Sequence, residues 1–128
     1  MHLLESEKQV VTNTLAFFAE DPKRRAIDEN GCCLMKTHDG RQCAIGRHIP
    51  MKMYSEFSDL LFHAGIADEM WACPDLAPVT DHLDGILPFP VWEILQHWHD
   101  NSRNFDSPRT IKDSRLDVWR AIEDLEDE

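Results

Sequence analysis

Apolar side chains recur along residues 6–19 at the period of a helix. Val11, Leu15 and Phe18 mark one stripe, with Val10, Thr14 and Phe17 beside it. Ser6 and Gln9 stand at the spacing of a capping box and predict the start of that helix. Asp21-Pro22 is a second start signal, because Asp caps a helix and Pro suits its first position. A short helix over 22–28 is expected there, closed by Asn30-Gly31. From residue 32 the pattern changes to that of two strands. Cys32 to Thr37 and Gln42 to Gly46 flank Asp39-Gly40, a strong turn signal, and predict a hairpin over 32–47. Two registers are open. A two-residue turn places Cys32, Leu34, Cys43 and Ile45 on one face, whereas a turn with Gly40 as a bulge residue joins Cys33 and Met35 to Cys43 and Ile45.

Beyond Pro50 the helical period returns at Met53, Phe57, Leu60 and Leu61, ending near His63 and Gly65. Residues 66–88 are irregular, with short helical turns expected at 67–72 and 75–84. Pro74, Pro78 and Pro88 forbid one long helix there, and Trp71 is the expected buried anchor. Pro90 opens a helix with Val91, Ile94, Leu95 and Trp98 on its apolar stripe, ending near Asn101. Residues 102–109 read as a loop. Thr110 and Asp113 then resemble the cap pair of a last helix carrying Ile111, Val118, Ile122 and Leu125 inward. The pattern adds up to one α+β domain over residues 1–128, with four to five helices packed on a small two- or three-stranded antiparallel sheet.

Composition limits the class. A chain of 128 residues is long enough to bury a core without disulfide or metal staples. Four Trp and six Phe exclude global disorder. Residues 1–7 have neither a basic flank nor a long apolar stretch, so no signal peptide is expected, and no segment is apolar enough to span a bilayer. The cytoplasm is the expected compartment, with Cys32, Cys33, Cys43 and Cys73 as thiols.

Charge adds a direction. Thirteen Lys and Arg face 24 Asp and Glu, a formal net charge of -11. Between Lys52 and Arg103 there is no Lys or Arg, while nine carboxylates run from Glu56 to Asp100. Such a field repels nucleic acid and anionic membranes and attracts basic protein surfaces. Lys23-Arg24-Arg25 reads as a solvent-facing helical patch.

Candidate chemistry is sparse. Cys33, His38, Cys43 and His48 alternate every five residues, and two thiolates with two imidazoles are a tetrahedral zinc set, although the spacing is wider than a zinc knuckle's. Cys43, with His48 or His99 as base and Asp100 as orienter, is a candidate nucleophile only if its thiol pKa is lowered. His97 and Asp100 share a helix face, and with His63 they are a candidate metal or water site. Neither the phosphate loop nor the dinucleotide glycine pattern is present. Trp92 or Phe105, exposed beside Glu93, Asp106 and Asp100, would be an aromatic anchor in an acidic patch, a combination suited to protein binding.

The segments Gly31-Cys32-Cys33-Leu34, Asp39-Gly40-Arg41-Gln42-Cys43-Ala44-Ile45-Gly46 and Leu95-Gln96-His97-Trp98-His99-Asp100 resemble small uncharacterised proteins of bacteria and their phages. Those proteins pair a Gly-x-Cys strand with a Gly-x-x-Cys-Ala-Ile-Gly strand and repeat a Leu-Gln-x-x-His-Asp pattern. The resemblance implies a shared hairpin-plus-helix core and carries no known activity. Leu34 departs from the aromatic expected at its position.

These readings converge on a small acidic protein that binds and modulates another protein with a basic surface, in a phage setting an inhibitor of a host factor. It reads as a binding protein rather than an enzyme, with no cofactor. Two alternatives stand beside it: a zinc-stabilised domain built on Cys33, His38, Cys43 and His48, and a small thiol or His-Asp hydrolase.

Overall fold

The computed structural model describes residues 2–27, 36–37, 39–64 and 67–127, with backbone alone for 62–64 and 67–68. Among the described residues the chain is helical. Its α-helices are α1 (Glu5–Glu20), α2 (Met51–Glu56), α3 (Ser58–Ala64), α4 (Ala67–Ala72), α5 (Ala77–Asp84), α6 (Phe89–Asp100) and α7 (Pro108–Glu126). Short 3-10 turns occupy Pro22–Arg24, Gly46–His48, Pro74–Leu76 and Ser102–Phe105.

The expected antiparallel sheet is absent from the described residues, and the α+β assignment is corrected to an all-helical fold. What survives of the hairpin is one antiparallel bridge, Lys36 to Gln42. Thr37 N–H donates to the Arg41 carbonyl at 2.8 Å, and Gly40, at φ 93°, turns the chain between them. That pairing belongs to the register with Gly40 as the bulge residue. Residues 32–35 and His38 lie outside the described residues. The return strand ends early because its backbone finds other partners. The donor that the ladder would use next, Ile45 N–H, goes to Gln96 Oε1 at 3.2 Å instead, and Gly46 N–H turns back to Cys43 Sγ at 3.1 Å. Arg47 N–H then closes on the Cys43 carbonyl at 3.1 Å, so residues 43–48 curl into a helical turn.

Helix ends also differ from expectation. Leu4, not Ser6, precedes α1. Its N–H donates to the Glu7 carboxylate at 2.7 Å, and acids in the first turn suit the positive end of the helix dipole. Asp21 is extended and its carboxylate accepts from Lys23 N–H at 3.1 Å, so the expected helix over 22–28 is a single 3-10 turn in its described part. The expected helix around Met53–Leu61 breaks at Phe57 into α2 and α3. For α7 the cap is Ser107 with Thr110 rather than Thr110 with Asp113. Ser107 Oγ accepts from Thr110 N–H at 3.2 Å, and Thr110 Oγ1 accepts from Ser107 N–H at 2.9 Å.

One apolar cluster takes side chains from all seven helices. Val11, Leu15 and Phe18 of α1 meet Val91, Leu95 and Trp98 of α6, with Val118 and Ile122 of α7 on the flank. Phe18 sets its ring edge-on to Trp98 and to His99, at centroid distances of 6.3 and 4.9 Å. Buried indoles find acceptors. Trp98 Nε1 donates to Ser114 Oγ at 2.8 Å, tying α6 to α7, and Trp92 Nε1 donates to the Leu83 carbonyl at 2.9 Å, tying α6 to α5. Trp71 is only half-buried, stacked near Phe89 with its N–H on the exposed Asp84.

Candidate functional site

The C-terminal turn of α6 carries the His-Asp pair, and burial decides what it can do. His99 is fully buried. Ala26 N–H donates to His99 Nε2 at 3.1 Å, so that nitrogen is the acceptor and carries no proton. In the neutral ring the proton is then on Nδ1, which donates to Asp100 Oδ1 at 2.8 Å. Burial holds the His99 pKa below its ordinary value, although Asp100 pulls the other way. Both ring nitrogens are engaged, and neither is left to accept a proton from a substrate.

The same carboxylate anchors Gln96. Gln96 Nε2 donates to Asp100 Oδ1 at 2.8 Å while its Oε1 accepts from Ile45 N–H. Arg25, nearly buried, donates from Nε to the His99 carbonyl at 2.8 Å and from Nη2 to Ser102 Oγ at 3.3 Å. Its guanidinium lies over Phe105, 4.3 Å from the ring centroid. The Lys23-Arg24-Arg25 run is therefore not a uniform solvent-facing patch. The Gln96, His99 and Asp100 side chains form a clamp that satisfies the backbone of two distant segments, at Ala26 and at Ile45. A buried polar network of this kind specifies which loop conformation the helix accepts.

The remaining candidates are dispersed. Cys43 is fully buried, and burial pushes its thiol up to about 12, the opposite of what a nucleophile needs. His48 packs against Trp92 at 5.1 Å with Nε2 on Thr14 Oγ1 at 3.0 Å, and burial brings its pKa down to about 4. Cys33 and His38, the other two proposed zinc ligands, lie outside the described residues, as does the side chain of His63. Among the described residues no three His, Cys, Asp or Glu side chains gather as a metal site. Trp92 is fully buried, which corrects its expected exposure as a binding anchor. It sits on the inner face of α6 beside Val91, with its indole N–H on the Leu83 carbonyl. Phe105 is half-buried between Trp98, at 4.8 Å, and Arg25. Glu93 is half-buried on α6, Asp106 is exposed after the 3-10 turn, and Asp100 faces into the clamp. These five residues do not form one surface patch.

The acidic segment is placed differently. Helices α2 to α5 pack against one another in succession and carry much of the stretch without Lys or Arg. Glu56, Asp59, Glu69, Asp75 and Asp81 are exposed there, and none is ion-paired with a described cation. Sequence reasoning missed a second charged region. Arg24, Arg41 and Arg47 come from three separate segments and line one cleft with Phe17. No spacing in the chain announces that meeting.

No family model, no curated protein and no solved structure matches the chain. Among the described residues no helix is long and apolar enough to cross a membrane.

Proposed function

We propose that this protein is a small acidic binding module that engages, and so modulates, a partner protein with a basic surface. The binding face is the exposed surface of α2 to α5. One observation carries this reading: five exposed carboxylates between Glu56 and Asp81 form no ion pair with a described cation. Unneutralised charge of one sign over contiguous helices steers an oppositely charged partner and orients it on arrival. The reading takes the buried His-Asp pair and Cys43 as parts of the scaffold.

The test is fluorescence anisotropy with a labelled lysine-rich peptide at low salt. The variant Glu69→Gln/Asp75→Asn/Asp81→Asn neutralises the proposed face. The variant Glu123→Gln/Asp124→Asn/Asp127→Asn removes the same charge from the end of α7. The first is expected to weaken binding about tenfold and the second about twofold or less, with affinity falling steeply as salt is added. Equal weakening by both variants would reduce the effect to net charge and overturn the reading, as would an absence of binding.

A further inference from the structure

An acidic protein with a cleft of three arginines contradicts its own net charge, and the cleft has a local origin. Arg24 closes the 3-10 turn after α1. Arg41 follows Gly40, whose φ of 93° is the left-handed conformation that favours glycine and reverses the chain at that point. Arg47 lies in the 3-10 turn Gly46–His48. Around the Phe17 ring the guanidinium carbons of Arg24 and Arg47 sit 4.7 and 4.2 Å from the centroid. The cleft these groups line has a volume of about 410 Å³, within the range of small-molecule sites.

Each arginine is held by part of its donor set. Arg24 Nη1 donates to the Phe17 carbonyl at 2.9 Å. Arg41 Nη1 donates to the Arg25 carbonyl at 3.1 Å, and Arg47 Nη1 to Thr14 Oγ1 at 3.4 Å. A guanidinium has five N–H donors, so each keeps donors in reserve while its position is fixed. Fixing the side chains in advance lowers the entropy lost when a ligand arrives. Neutralisation is incomplete. Glu20 approaches Arg24 only at 3.7 Å, and the Glu20 carboxylate is exposed. Asp39 accepts from Arg41 Nε at 3.1 and 3.0 Å. Arg47 has no carboxylate partner among the described residues. Burial first, and the charge of Arg24 second, both work against the charge on Arg47. A bound anion offsets the repulsion between the two guanidiniums and supplies the opposite charge that Arg47 lacks.

We propose that the cleft formed by Phe17, Arg24, Arg41 and Arg47 is a binding site for a phosphate-bearing small molecule. Three guanidiniums from three segments match a phosphoryl group, which offers three strong acceptor oxygens and close to two charges. A carboxylate offers two coplanar oxygens and one charge and fits a single fork. Asp39 is the internal competitor. It accepts from Thr37 Oγ1 and from Arg41, and those bonds hold its carboxyl down at about 2, so at neutral pH it occupies Arg41 as an anion. The site is opposite in charge to the proposed protein-binding face and does not depend on it.

Isothermal titration with inorganic pyrophosphate, in a low-salt buffer free of phosphate, reads the site directly, and a titration with citrate provides the carboxylate comparison. One saturable site is expected, with pyrophosphate tighter than citrate. Arg24→Gln and Arg47→Gln should each weaken pyrophosphate binding by about tenfold, and Asp39→Asn should tighten it by about threefold by releasing Arg41. The control Arg109→Gln/Arg120→Gln removes two exposed cations outside the cleft and should leave affinity unchanged within about twofold. Thermal melting of each unliganded variant establishes that it is folded. No binding, equal loss in the control, citrate as tight as pyrophosphate, or weaker binding in Asp39→Asn would each overturn the proposal.

Discussion

Arg25 and Arg47 each lay a guanidinium over a phenylalanine ring, 4.3 Å from Phe105 and 4.2 Å from Phe17. Their remaining partners separate them. Arg25 is 7% exposed and donates to the His99 carbonyl and to Ser102, inside a network that also satisfies Ala26 and Ile45. Arg47 is half-buried at a cleft wall, and among the described residues its guanidinium makes one hydrogen bond, a long one to Thr14. The same stacked pair is therefore a structural tie in one place and a set of uncommitted donors in the other. What distinguishes them is satisfaction. A buried charge whose hydrogen bonds run to buried backbone holds the fold, while a partly buried charge at a cleft wall is available to a ligand.

The sharpest way to break this comparison is to remove each arginine in turn. Arg25→Ala leaves the His99 carbonyl without its buried donor and opens space beside Phe105. It should cost about 3 kcal/mol in urea unfolding, because orphaned buried polar groups lose their full desolvation compensation. A cost near zero would show that the clamp is not a structural tie.

A second test uses acid. The folded pKa values of His99 and His48 are both depressed by burial, His48 to about 4 against an ordinary 6.5. Above 6.5 both folded and unfolded chains hold these rings neutral, so their stabilising contribution is complete. As pH falls below 6.5 the unfolded chain takes up protons that the folded chain refuses, and stability declines until the folded pKa is reached. The urea midpoint should therefore hold steady above pH 7 and fall between pH 6.5 and 4. His48→Gln should reduce that fall. Asp39, held down at about 2, loses its contribution only at lower pH, between 3.8 and 2, so the two effects separate. A midpoint independent of pH across the histidine window would contradict the neutral buried rings.

The smallest expected effect is the complement of the first. Arg47→Gln breaks one long hydrogen bond and one ring contact at a half-buried position, and should cost only about 0.5 kcal/mol, measured in the same way. A loss as large as that of Arg25→Ala would make Arg47 a structural residue and dissolve the contrast.

Much of the helical framework was legible before folding. The stripes Val11–Leu15–Phe18 and Val91–Leu95–Trp98, and the short turns between Pro74 and Pro88, stand where period and proline placed them, because those signals act within a few residues. The hairpin was the principal misreading. Its turn signal was sound, as the Gly40 geometry and the Lys36–Gln42 bridge show, but a strand also needs its backbone donors free for a neighbour. Gln96, fifty-one residues away, takes the one at Ile45. The burial of Trp92 was not legible, because a position next to a helical stripe is buried or exposed according to what packs beside it. Here α5 supplies both cover and an acceptor at the Leu83 carbonyl.

By itself the sequence determined where the main helices run, the charge of -11 and the cation-free acidic stretch, since these depend on local order and composition. Only the tertiary structure decided that His99 and Asp100 close a buried clamp, that Cys43 is sealed in the core, and that Arg24, Arg41 and Arg47 share a cleft. The physical reason is that burial and hydrogen-bond satisfaction are properties of which distant segments meet. The chemistry open to a histidine, a thiol or a guanidinium is set by those neighbours, not by the residues beside it in the chain.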